Sequence, residues 1–158
     1  NKTTTSFAVP ADGITLDILV ENMGRVNYGP WLLDRKGILG GVIFDEQLQF
    51  HWEVYPLPLT NLSSLPFAEQ SSAPYPGFFK GYFQVDEPGD TFLALPGWNK
   101  GVAWINGRNL GRYWKRGPQR TLYVPAPWLK KGVNELVIFE LYNTKSTSVE
   151  LRNKHDLG

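Results

Sequence analysis

GWNKGVAWINGRNLGRYW, residues Gly97 to Trp114, packs three tryptophans, an Asn-Gly pair and four glycines into one short stretch. It reads as a strand, a tight turn and an aromatic-rich return strand. Asn106-Gly107 sits between the apolar run Val102 to Ile105 and the following Leu110. A two-residue hairpin turn needs positive φ at both central positions, and Asn followed by Gly supplies that at the least steric cost. The segment therefore predicts a β-hairpin presented by an all-β domain.

Downstream and upstream of the hairpin the same chemistry recurs. Phe78 to Val85, Thr91 to Leu95, Val102 to Ile105, Thr121 to Val124, Glu135 to Leu141 and Thr147 to Arg152 are candidate strands separated by Gly, Pro, Asn or Asp clusters. Regular short strands with turn residues between them predict an antiparallel sandwich or jelly roll. Leu136 to Phe139 is apolar on both phases, as a strand covered on both sides is. Trp128 to Gly132 reads as one helical turn closed by glycine.

Nearer the start, Ile14 to Glu21 alternates, with Ile14, Leu16, Ile18 and Val20 on one face, and predicts a half-buried strand. Glu21 to Lys36 collects Gly24, Asn27, Gly29, Pro30 and Asp34 around Tyr28 and Trp31, a long ordered loop of the kind that often carries function. Ile38 to Phe44 and Leu48 to Tyr55 follow as antiparallel neighbours joined around Asp45-Glu46. Pro56 to Gly77 turns to Pro, Ser, Asn and Ala without periodicity, which marks a linker or surface crossover. The expected organisation is residues 1–58 as strands of one β-sandwich, 59–77 as linker, and 78–158 as a second, jelly-roll sandwich.

Sixteen Lys and Arg against fifteen Asp and Glu leave a formal charge of +1, without the basic excess of a nucleic-acid surface. The chain has no cysteine, which rules out disulfides, thiolate metal sites and a cysteine nucleophile. No run of about eighteen apolar residues predicts a membrane helix, and no signal-peptide pattern opens the sequence. Asn1-Lys2-Thr3 and Asn61-Leu62-Ser63 are acceptor tripeptides for N-glycosylation.

The residues offer little catalytic chemistry. Asp45-Glu46 and Asp86-Glu87 are neighbours in expected turns, whereas a glycosidase pair converges on one bond from two sides, about 5 to 9 Å apart. His51 and His155 are too few and too distant for a metal cluster, so neither metal nor cofactor is expected. Gly107 and Gly111 lack the strand-loop-helix context of phosphate binding and read as turn formers. Of the six tryptophans, Trp52 and Trp104 are in phase with core residues. Trp31, Trp98 and Trp114, with Tyr28, lie in or beside loops where a ligand or another domain would cover them. Arg112, Lys115, Arg116 and Arg120 form a basic cluster that reads as a solvated rim.

Two runs resemble a known family. Leu16-Asp17-Ile18-Leu19-Val20-Glu21-Asn22-Met23-Gly24-Arg25-Val26-Asn27-Tyr28-Gly29, followed by Asp34-Arg35-Lys36-Gly37-Ile38, resembles the non-catalytic β-region of the glycoside hydrolase family that contains lysosomal β-galactosidase and its bacterial relatives. So do Pro96-Gly97-Trp98, Lys100-Gly101, Trp104 to Gly107, Asn109 to Trp114, Gly117 to Gln119 and Thr121 to Pro125. The resemblance implies the later strands of one sandwich followed by a galactose-binding-domain-like jelly roll.

In that family a (β/α)8 barrel carries the two catalytic glutamates of a retaining exo-β-galactosidase, and neither has a counterpart in these runs. The resemblance therefore implies a region that hydrolyses nothing alone and whose partner is the barrel of the same protein. Terminal β-galactosides would be met through that barrel, and an oligomer of the parent protein is a further partner left open. Tyr28 is the implied substrate contact, with Arg25 and Asn27 bracing its loop. Trp98, Trp114 and Arg112 are the implied packing or interface residues, and Trp31 is an interface candidate from its place in the loop. Two other readings stand beside this one: an autonomous carbohydrate-binding module, and a purely structural or oligomer-interface domain.

Overall fold

The computed structural model describes residues 4–22, 24, 26–68, 75–144 and 148–158. The chain divides into two compact units, Asn1–Leu57 and Pro58–Gly158. The architecture is all-β, with antiparallel sheets and only two short 3-10 turns, Pro30–Leu33 and Ala126–Trp128, among the described residues. No helix there is long and apolar enough to cross a membrane.

In the first unit, strand β1 (Val42–Phe44) pairs with β2 (Gln47–Gln49), Ile43 standing opposite Leu48. Asp45 and Glu46 form the turn at φ 47° and 64°, so the hairpin expected around them is present. It is shorter than its sequence phase suggests. His51 adopts φ 61°, a left-handed conformation that no strand sustains, and the ladder ends at Gln49 just before it. Trp52, expected in the core, is instead 41% exposed, and its indole N–H donates to the Gln49 carbonyl at 3.1 Å.

Ile14 to Glu21 is also a correction, because it forms no strand. Ile14, Leu16, Ile18 and Val20 are exposed. Alternation records that a segment suits a half-buried sheet, but burial needs a neighbouring strand, and no described segment pairs with this one.

The second unit carries β3 (Gly77–Val85), β4 (Thr91–Ala94), β5 (Lys100–Ile105), β6 (Arg108–Trp114), β7 (Thr121–Val124), β8 (Gly132–Glu140) and β9 (Glu150–Arg152). Four strands form one sheet in the order β3-β8-β5-β6, and three form the other in the order β7-β4-β9. Between the sheets lie Leu93, Leu95, Trp98, Ala103, Ile105, Tyr113, Leu122, Val124, Leu136 and Ile138. The expected sandwich strands are all found, with shifted ends. β8 begins at Gly132 rather than Glu135, and β9 is confined to Glu150–Arg152, Thr147 lying outside the described residues. The helical turn expected from Trp128 falls two residues earlier, at Ala126–Trp128.

The hairpin that the sequence announces is β5 and β6, with Asn106 at φ 50° and Gly107 at φ 76°. Its register slips once. Ala103 pairs with Gly111 and Trp104 with Asn109, so Leu110 is the extra residue of a β-bulge and packs against the core. Gly111 takes φ 106° there, and its N–H bonds Asn109 Oδ1 at 2.7 Å. Trp104 is only 2% exposed, as expected, and meets Phe78 on the sheet face away from the main core. Phe78 in turn stacks on its cross-strand neighbour Phe139 at 4.6 Å. In the segment before β3, Leu59, Leu62, Leu65 and Phe67 are half-buried, and the Lys80 ammonium stands 4.4 Å above the Phe67 ring.

Candidate functional site

The loop of the first unit is built by short local bonds. Asn22 Oδ1 accepts the Gly24 N–H at 3.0 Å, closing a turn. Gly29 takes φ 77° and starts the 3-10 turn Pro30–Leu33, where proline's fixed φ suits the first helical position. Asp34 closes it by donating its N–H to the Trp31 carbonyl at 2.9 Å, and its carboxylate pairs with Lys36. This framework leaves Tyr28 85% exposed and Trp31 68% exposed, with Asn27 also at the surface. Arg25, expected to brace the loop, lies outside the described residues. An exposed phenol and indole on one loop can cover the apolar face of a sugar ring and bond its hydroxyls.

The second unit places its aromatics differently. Trp98 fills the core at 3% exposure, edge-on to Phe79, and its indole N–H donates to the Ser148 carbonyl at 2.8 Å. Trp114 is half-buried, with the Lys100 ammonium 4.8 Å and the Arg116 guanidinium 5.7 Å from its ring. A cleft of about 370 Å³ opens beside them, lined by Asn99, Trp114, Lys115, Arg120 and Asp156 among others. Arg112 lies on a separate cleft of about 340 Å³ with Tyr123 and Trp128. The hairpin thus brings Trp98 and Trp114 to one cleft and sends Arg112 to another.

Beneath the first cleft lies a carboxylate that no motif marks. Glu140 is fully buried at the end of β8. Its Oε2 accepts from the Asn99 N–H at 2.7 Å and the Tyr113 hydroxyl at 3.2 Å, and its Oε1 accepts from the N–H groups of Lys100 and Tyr142 at 3.0 Å each. A carboxylate holding four donors is a structural clamp, with its lone pairs committed. Tyr113 is pushed well above the usual phenol range, chiefly by burial and then by the charge and hydrogen bond of Glu140. Gly101, also from the quoted motif, makes this packing possible. A Cβ there would stand 1.7 Å from the Phe139 carbonyl oxygen and 2.8 Å from the Tyr113 hydroxyl. The one sequence signal for the clamp was a charged residue closing the apolar run of β8.

A second buried cluster anchors the hairpin tip. Asn106 Nδ2 donates to the Trp128 carbonyl and to Asn134 Oδ1, each at 2.8 Å, while its Oδ1 accepts the Glu135 N–H at 3.0 Å. Asn134, fully buried, donates in turn to the carbonyls of Lys130 and Gly132. These polar groups are satisfied within the protein, so they fix the turn rather than await a ligand.

The other carboxylates flagged in the sequence occupy turns. Asp45 and Glu46 cap the β1–β2 hairpin, and Asp86 and Glu87 follow β3, all four exposed. Among the described residues, no group of three His, Asp or Glu side chains could hold a metal ion.

Comparison with known proteins agrees with this architecture. Residues 1–58 match the family described as β-galactosidase, first all-beta domain, and residues 76–134 match β-galactosidase, galactose-binding domain. A relative from Oryza sativa subsp. japonica, Beta-galactosidase 8, is 41% identical over 84% of this chain and 25% of its own length. The human Beta-galactosidase-1-like protein 2 is 46% identical over 87% of this chain and 23% of its own length. Beta-galactosidase 17 from Arabidopsis thaliana is 45% identical over 80% of this chain and 21% of its own length. The chain thus spans about a quarter of the length of these relatives. With an antiparallel jelly-roll sandwich in its second unit and matches to both all-β domains, the chain belongs to the β-galactosidase family and represents its all-β, galactose-binding-domain region.

Proposed function

We propose that the chain is the non-catalytic β-region of an exo-β-galactosidase, which supports a catalytic barrel elsewhere in the same protein and lends Tyr28 to its galactose pocket. In this reading residues 1–58 belong to a first β-sandwich, 59–77 link, and 78–158 form the second, buttressing sandwich. The observation that carries it is the exposure of Tyr28, 85%, on a loop whose turns are internally bonded. A phenol held outward without a cover in its own unit is suited to completing a pocket formed by another part of the protein. Asn27 then braces the loop, and Trp31, Trp114 and Arg112 meet neighbouring domains.

Chemistry falls to the absent barrel in this reading. The inward carboxylate, Glu140, is saturated by four donors, and the turn carboxylates are exposed neighbours rather than a converging pair. The rival is an autonomous sugar-binding module, for which the cleft beside Trp114 is the supporting feature. Titrating the chain with galactose and a β-galactoside disaccharide, read by tryptophan fluorescence and calorimetry alongside a hydrolysis assay, separates them. Neither binding nor turnover is expected. Saturable binding lost in Trp114→Ala favours the module, and turnover overturns the non-catalytic reading.

A further inference from the structure

We propose that Asn61 is an N-glycosylation site, an acceptor for oligosaccharide transferred from a lipid-linked diphosphate donor. Asn61-Leu62-Ser63 meets the sequence requirement, with leucine rather than proline in the middle. The structure adds geometry. Asn61 Oδ1 accepts both the Ser63 N–H at 3.0 Å and the Ser63 hydroxyl at 2.8 Å. Both bonds fall on the amide oxygen, leaving Nδ2 outside the turn.

That arrangement matches what the transfer needs. Protons aimed at the oxygen favour the imidate form of the amide, in which the nitrogen lone pair is localised and nucleophilic. Nδ2 then attacks the anomeric carbon of the donor sugar. The N–C bond forms as the bond from that carbon to the diphosphate oxygen breaks, the amide proton passes to a base of the transferase, and the lipid diphosphate leaves as the anion.

The surroundings tolerate the product. Asn61 and Ser63 are both exposed, while Leu59, Leu62 and Leu65 on either side are half-buried. The segment is thereby held by its leucines with the tripeptide's polar side chains outward, so a bulky hydrophilic glycan displaces no packing. A glycan at this point also requires that this stretch face solvent in the intact protein.

The test is translation of the full chain, behind an added signal sequence, in the presence of eukaryotic microsomes, which reads modification without requiring export. An Asn1→Gln background removes the other acceptor tripeptide. The expected result is a mass increase of one glycan, reversed by an amidase that leaves aspartate at position 61. It should be lost in Asn61→Gln and Ser63→Ala and raised in occupancy by Ser63→Thr. A translocated chain, its signal sequence removed, that stays at its unmodified mass in the Asn1→Gln background overturns the proposal.

Discussion

The Tyr113 hydroxyl lies 3.2 Å from Glu140 Oε2 and 3.2 Å from the Phe139 carbonyl, tying the return strand of the hairpin to the end of β8 across β5. The contact crosses the position of Gly101, where a side chain would occupy the same space. One motif thus supplies the turn, the gap and the bridging phenol.

Replacing Glu140 with glutamine keeps the shape but removes the charge and points an amide donor at groups that already donate. We expect a loss of about 2–4 kcal/mol, the range for disturbing a buried charged group with committed partners. Tyr113→Phe, which deletes one donor and leaves three, should cost about 1 kcal/mol. Urea midpoints at constant m-value report both, and a neutral Glu140→Gln would contradict the clamp.

The same pair makes a pH prediction. The Tyr113 pKa is raised in the folded state, mainly by burial, so its contribution is complete below the unfolded value near 10 and is lost as pH rises above it. Stability should fall by about 1.4 kcal/mol per pH unit for this one proton above pH ~10. Tyr113→Phe should flatten that slope. Urea midpoints measured across pH 9 to 11.5 for both proteins test it, and equal slopes would contradict it.

Two glycines in the motif should respond differently to alanine. Gly101→Ala drives a Cβ into the Phe139 carbonyl and should cost more than about 3 kcal/mol, as overpacking against backbone does. Gly107→Ala meets open space at φ 76° and should cost only about 1–2 kcal/mol for its left-handed backbone. Thermal or urea unfolding gives the order, and a reversed order would refute the packing account.

Protection against amide exchange should divide the chain. The second unit buries its ladders around a core, whereas among the described residues of the first unit none is fully buried. We expect amides of β5 and β8 to exchange at least a hundredfold more slowly than those of β1 and β2, since exchange follows local stability. Mass-spectrometric exchange of the intact chain measures this.

Much of the second unit could be read from the sequence because its signals are local. Asn106-Gly107 demands a turn whatever surrounds it, and the Gly, Pro, Asn and Asp clusters separate the strands even where the ends shift by a few residues. Residues 14 to 21 show the converse: alternation specifies a face, but the partner strand that makes it a sheet is not local information. His51 ended β2 early through a backbone angle that its residue type does not announce. Trp98 was ambiguous for a similar reason, since a tryptophan beside a loop serves a core or a surface equally well, and only the Ser148 carbonyl and the Phe79 ring decided it. Glu140 carries little local signal because three of its four donors, the N–H groups of Asn99 and Lys100 and the Tyr113 hydroxyl, are distant in sequence.

The central claim rests on Tyr28, and steady-state turnover of a β-galactoside by the full-length protein carrying Tyr28→Ala tests it most directly. An exposed side chain contributes little to folding, so the unfolding temperature should stay unchanged while kcat/KM falls about ten- to a hundredfold, or about 1.4–2.7 kcal/mol of transition-state binding. Turnover equal to that of the unaltered enzyme would contradict a role for this loop in the galactose pocket.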